Sequence, residues 1–151
     1  MDEKLEYVGF GLRLLAASID AILFLALTTP LLVALYGWGY FVDADRPLIA
    51  GPADFLISWV FPTLATVVLW RWIGTTPGKR LIGARVVDEK TFGRLSMRQA
   101  ITRSLAYIVS TVPLCAGFFW VAFDARRQGW HDKLAGSVVV RHKRTPLAAT
   151  R

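Results

Sequence analysis

The sequence predicts an all-α membrane protein: two transmembrane helices, a third helical hairpin or span, and a small cytoplasmic two-stranded β-ribbon. Three observations carry that prediction. Of the 151 residues, 54% are hydrophobic and the mean hydropathy is +0.44, whereas a soluble domain holds roughly 45–50% apolar residues. The surplus is concentrated, because Ala21–Val42, Phe55–Trp70 and Ser104–Phe123 contain no Asp, Glu, Lys or Arg. Finally, Lys79-Arg80-Leu81-Ile82-Gly83-Ala84-Arg85-Val86-Val87 is echoed by Asp132-Lys133-Leu134-Ala135-Gly136-Ser137-Val138-Val139-Val140. Both are β-branched runs bounded by turn residues, the pattern of short strands.

Taken in order, the first span is expected over about 14–37 and the second over about 54–73. A hydrocarbon core of ~30 Å takes ~20 helical residues, and the second run reaches that length if Arg71 snorkels and Trp72–Ile73 are counted. Pro30 and Pro62 fall mid-span, where proline is tolerated and can kink a helix. Thr76-Pro77-Gly78 is the turn that lifts the chain out, followed by a strand over 80–88. Ser96-Met97-Arg98-Gln99 fits a capping box and opens the element expected over 96–127. Pro113-Leu114-Cys115-Ala116-Gly117 lies near its middle and reads as a breaker. A re-entrant helical hairpin with both ends on the same side is therefore expected, a plain third span being the alternative. A second strand over 134–141 pairs with the first, since a lone strand leaves backbone groups unsatisfied. Residues 1–142 form one domain, and 143–151 a basic tail expected to be disordered.

Charge sets the orientation. Residues 37–54 carry Asp43, Asp45 and Asp54 against Arg46 alone, whereas 71–103 carry eight bases and the stretch from Arg126 to Arg151 seven more. By the positive-inside rule the first loop is external, and the N-terminus and basic loops are cytoplasmic. A straight third span would put the basic tail outside, which is the reason for preferring the hairpin. Trp38, Tyr40 and Phe41 at one end, with Trp70 and Trp72 at the other, sit where aromatic belts belong.

Composition also excludes functions. One cysteine, Cys115, cannot form an intramolecular disulfide or a thiolate zinc site, and two histidines are too few for a histidine-rich metal centre. The N-terminal Met1-Asp2-Glu3-Lys4 is not a signal-peptide n-region, so no cleaved leader is expected. The net charge of +7 flanks apolar spans and points to anionic lipid headgroups rather than nucleic acid. Gly74-Thr75-Thr76-Pro77-Gly78-Lys79-Arg80 is one residue short of a P-loop and puts arginine where Ser or Thr must hold magnesium. His131-Asp132 has no accompanying Ser or Cys nucleophile motif. No catalytic residue, cofactor or metal is assigned, and the chain is not expected to be an enzyme.

The candidate ion or proton site is Arg13, Asp20, Asp124 and Asp132. Asp20 precedes more than twenty uncharged residues and lies just inside the first span. A carboxylate there needs a partner or water, because lipid offers neither. Arg13 shares its helix face but stands ~10 Å away along the axis, so the partner is expected to be Arg13 or a base from the cytoplasmic module. The structural alternative to an ion site is a salt bridge fixing the first helix. Asp124 reads as a helix-terminal acid, and Asp132 as the partner of a base or the cap of a turn. Lys79, Arg80, Arg103, Arg126 and Arg127 are the candidate contacts to anionic lipid or an interface.

The Arg13–Asp20 pair, the run from Gly74 to Asp88, Ala100-Ile101-Thr102-Arg103, the segment Asp124–Asp132 and Val138-Val139-Val140 together resemble the RDD family of small bacterial integral membrane proteins, over about residues 7–142. The family is named for one arginine and two aspartates. The first two map onto Arg13 and Asp20, and the second aspartate onto Asp124 or Asp132. The resemblance implies a multi-pass protein of the bacterial inner membrane. Two function classes follow: a small transporter coupling cation or small-solute movement to protons, or a non-transporting accessory or assembly protein that binds another membrane protein or anionic lipid. Two or three spans cannot enclose a pathway, so a homo-oligomer or a partner membrane protein is expected. The lack of an inverted repeat weighs against a self-contained transporter.

Overall fold

The computed structural model describes residues 5–143, and the tail expected to be disordered lies outside them except for Lys143. The first apolar run forms α1 (Phe10–Tyr36), 27 residues or about 40 Å long at 1.5 Å per residue. It starts upstream of residue 14 because Gly9 is extended (φ −73°, ψ 171°) and Phe10 already stacks on Phe119 at 5.2 Å. Gly37 stops it with φ 75°, a conformation open to glycine at little cost. After the short α2 (Gly39–Val42) comes α3 (Pro52–Trp72), 21 residues with a π-helical stretch over Leu56–Val60. Proline at the first helical position is favourable because its missing N–H would have no partner there.

Only α1 and α3 are individually long and apolar enough to cross a membrane among the described residues. Next come α4 (Pro77–Leu81), β2 (Ala84–Asp88), α5 (Met97–Thr111), α6 (Ala116–Ala122), α7 (Trp130–Ala135) and β3 (Ser137–His142). The capping box of α5 is formed in both directions, Ser96 Oγ accepting from Gln99 N at 3.2 Å and Gln99 Oε1 from Ser96 N at 3.0 Å.

Helices α5 and α6 pass the length and hydropathy test together, but they are bent by 111°. Pro113 lies at the break, and Leu114 and Cys115 adopt left-handed φ values of 51° and 61°. Gly117 then lets α6 turn back against α5: a Cβ there would stand 2.6 Å from Ser110 Cα. The element expected over 96–127 is thus two helices at an angle rather than one straight rod.

The sheet is antiparallel in the order β1-β3-β2, with β1 (Leu5–Tyr7) a third strand beyond the two expected. Val86 lies opposite Val139 and Val87 opposite Val138, while Glu6 faces Arg141 and pairs with its side chain. The two expected strands begin at 84 and 137 instead of 80 and 134, because the residues before them form α4 and α7. Gly83 (φ 71°) and Gly136 (φ 60°) separate each helix from its strand. The echo in the sequence is therefore a repeated unit of short helix, left-handed glycine and strand.

Val8, Trp70, Val86, Leu95, Ala100 and Val139 are buried together and join the end of α3 and the start of α5 to one face of the sheet. Each of the valine and leucine side chains contributes ~1.5–3 kcal/mol on burial. The long helices behave oppositely. Ile22, Leu25, Leu105 and Ile108 are more than half exposed, an apolar surface suited to lipid rather than water.

Candidate functional site

Arg13 and Asp20 are two turns apart on α1, and each docks one of the repeated short helices. Arg13 reaches α7: its Nη1 donates to Asp132 Oδ2 at 2.5 Å, Nη2 to the Arg127 carbonyl at 2.5 Å, and Nε to the Val8 carbonyl at 2.9 Å. Asp20 reaches α4, where its carboxylate accepts from Thr76 Oγ1 at 2.5 Å and Gly78 N at 2.7 Å. The first turn of a helix presents N–H groups without intrahelical partners, so a carboxylate is well placed there. This contact needs glycine at 78: a Cβ would come within 2.1 Å of the Ala16 carbonyl oxygen. The expected partner of Asp20, a base or Arg13, is thus replaced by a hydroxyl and a backbone amide. The reason is geometric, since Arg13 is turned toward the opposite short helix.

Asp132 is completely buried and lies between two arginines. Besides Arg13, Arg103 Nη1 stands 2.5 Å from its Oδ1, an ion pair outside hydrogen-bond alignment. Gly129 N donates to Oδ2 at 2.9 Å and closes the N-terminus of α7. The adjacent guanidinium of Arg103, then that of Arg13, hold the carboxyl well below the usual range against the opposing effect of burial. Arg103, expected as a contact to anionic lipid or an interface, is instead 1% exposed, donates to Ser137 Oγ at 2.6 Å and lies over the Trp70 ring at 5.0 Å. No local signal in Ala100-Ile101-Thr102-Arg103 marks it as the partner of a residue 29 positions away.

His131 packs against Tyr107 and Phe118 with its ring tilted 40° to each and centroids at 4.6 and 5.0 Å, and its Nδ1 is 3.2 Å from Ser110 Oγ. Burial, against the opposing pull of Asp132, pushes its pKa down to about 3, so the ring is neutral near pH 7. Asp124, the other candidate second aspartate, accepts from the amides of Arg126 and Gln128, each at 3.0 Å, and pairs with the half-exposed Lys133. It does not meet Arg13. Arg126 is exposed, and Arg127 contributes its carbonyl to Arg13.

A cavity of about 520 Å³ opens beside this cluster between α1, α4, the bent pair and α7. Its wall is mainly apolar, with Phe10, Leu14, Phe118, Phe119 and Val121, and its charged lining groups are Arg13, Lys79 and Arg103. Asp132 takes both arginines, whereas Lys79 forms no ion pair among the described residues. Its Nζ is 3.4 Å from Thr76 Oγ1 and 5.8 Å from the Trp70 ring centroid. Burial pushes the Lys79 ammonium down from its ordinary pKa. No cluster of His, Cys, Asp and Glu able to hold a metal occurs among the described residues.

One buried acid escaped the sequence reading. Asp54, counted above as a loop charge, is 1% exposed at the start of α3 and accepts from Tyr40 Oη, Ala50 N and Ser58 Oγ at 2.6–2.7 Å. Gly51-Pro52-Ala53-Asp54 held the signal: an acid in the first turn behind a proline, a helix start.

The family model described as RDD family matches residues 7–136. An uncharacterized protein of Rickettsia prowazekii is 37% identical over 75 residues, covering 50% of this chain and 41% of that protein. A proline-rich antigen of Mycobacterium leprae is 27% identical over 101 residues, 63% of this chain and 40% of the antigen. An uncharacterized protein of Bacillus subtilis is 38% identical over 65 residues, 43% of this chain and 42% of that protein. The chain spans less than half the length of these relatives. No solved structure matches it at a significant level.

Proposed function

The chain belongs to the RDD family, and from that premise we propose that it is a non-enzymatic membrane protein that binds an anionic amphiphile, a molecule with an acidic head and an apolar tail. In this reading α1 and α3 cross the bacterial inner membrane, with the N-terminus and the basic segments on the cytoplasmic side. The α5–α6 pair is re-entrant, and the ion cluster lies at the cytoplasmic interface. The role is that of an accessory protein, working with a second copy or with another membrane protein.

The observation that carries this reading is the cavity beside the cluster, with its apolar wall and its three charged lining groups all cationic. Small-molecule sites are of this kind: mostly apolar, ~300–1,000 Å³, with a few placed polar groups. Lys79 is the cation left for the ligand, because Asp132 occupies the other two. A metal cation is a poor fit to the same wall. The test is native mass spectrometry with dodecanoate and dodecyltrimethylammonium. Wild type is expected to retain dodecanoate and not the cation, and Lys79→Gln to bind dodecanoate about tenfold more weakly, the loss of one charge-assisted contact. Equal retention of both probes, or no effect of Lys79→Gln, would overturn the proposal.

One observation favours the transport reading. Lys79 also lines a second cavity, of about 290 Å³ between α1 and α3, which reaches Asp20, Thr63 and Thr66. A buried ammonium shared by two cavities is suited to carry a proton, whereas both oxygens of Asp20 are already engaged. If the chain transports, proton-coupled flux in proteoliposomes is lost in Lys79→Gln and retained in Asp20→Asn. The opposite pattern would return the proton to Asp20.

A further inference from the structure

On the other side of α4 from the buried Lys79, Arg80 is exposed and enters a separate groove of about 580 Å³. Three segments bring an arginine each to its wall: Arg80 from α4, Arg85 from β2 and Arg94 from the loop before α5. Among the described residues none of the three makes an ion pair or a side-chain hydrogen bond. Asp88 and Glu89, the acids nearest to them along the described chain, are committed elsewhere. Asp88 accepts from the amides of Lys90 and Thr91 and from Gln99 Nε2, and Glu89 from Gln128 Nε2. Among the described residues, no acid therefore neutralises these three arginines.

The groove is also held in shape. Val86 N donates to the Gly74 carbonyl at 2.7 Å and Asp88 N to the Gly93 carbonyl at 3.0 Å, tying both flanking loops to the edge of β2. Ile73 and Gly74, directly after α3, line it as well, so it begins where the second candidate span ends. Guanidinium groups match phosphate oxygens through paired N–H donors, and several arginines converging without acids are the usual way such a group is held. We propose that this groove binds a phosphate-bearing anion through Arg80, Arg85 and Arg94. The phosphate belongs either to an acidic phospholipid in the adjoining leaflet or to a soluble phosphate compound.

The test uses the full chain in phosphatidylcholine nanodiscs, with Arg80→Gln, Arg85→Gln, Arg94→Gln and the triple variant. Calorimetric titration with pyrophosphate probes the soluble source. Competition between phosphatidylglycerol and phosphatidylcholine, read from the lipids retained in native mass spectra, probes the membrane source. Each single variant is expected to weaken binding in one of the two arms about tenfold, as loss of a charge-assisted contact does, and to leave the thermal midpoint in place. The arm that responds identifies the source. The single variants report even if the triple variant fails to fold. Binding that survives all three single substitutions in both arms, or no binding by wild type in either, would overturn the proposal. The anionic amphiphile site is independent: Lys79→Gln should leave this groove unaffected.

Discussion

Replacing Asp132 by Asn preserves the shape of the side chain and removes the one negative charge held between Arg13 and Arg103. The carboxylate is fully buried, and the two arginine side chains are 11% and 1% exposed, so water cannot take its place. Breaking a buried ion pair from one side costs ~3–5 kcal/mol, because the remaining charge stays buried without compensation. At about 2–4 °C per kcal/mol for a chain of this size, the thermal midpoint should fall by roughly 10 °C. Asp124→Asn is the internal control. Its partner Lys133 is 45% exposed, and a water-accessible pair of that kind is worth ~0.2–1 kcal/mol, a shift of at most about 4 °C. Tryptophan fluorescence during thermal unfolding in detergent reads both. Equal shifts in the two variants, or an Asp132→Asn protein as stable as wild type, would refute the clamp between α1 and the short helices.

Three further outcomes are expected. Because His131 stays neutral down to about pH 3 while the unfolded chain protonates it near 6.5, the unfolded state binds the extra proton between those values. Stability therefore falls as pH drops below about 6.5, at up to ~1.4 kcal/mol per pH unit, and His131→Phe should flatten thermal midpoints measured from pH 7 to 5. Gly78→Ala forces a Cβ to 2.1 Å from the Ala16 carbonyl oxygen, so it should cost more thermal stability than Gly83→Ala. At Gly83 a Cβ meets nothing within 4 Å and only the φ of 71° is strained, a cost of about 1–2 kcal/mol. Val86 N points outward to Gly74, so the neighbouring Val87 N–H faces β3. Val87→Pro should then remove a ladder donor, cost ~1–3 kcal/mol and lower the yield of folded protein, where an unchanged yield would speak against the pairing.

The sequence alone determined what depends on neighbouring residues. Charge-free runs mark α1 and α3, since an apolar stretch of that length has few stable places to go outside a membrane. Ser96 and Gln99 announce the start of α5, Pro113 to Gly117 its end, and the repeated Leu-x-Gly and valine runs two strands. Tertiary structure decided which groups meet. Arg13 could not be assigned to Asp132, 119 positions away, because charge pairing leaves no local period to read. Asp20 found an amide and a hydroxyl instead of a base, because the close approach of α4 depends on Gly78. β1 is three residues long with Glu6 at its centre, too short to show alternation, and exists because β3 offers a free edge. The angle between α5 and α6 likewise follows from contact between Gly117 and Ser110, and the burial of Arg103 from the carboxylate that only the folded chain brings to it.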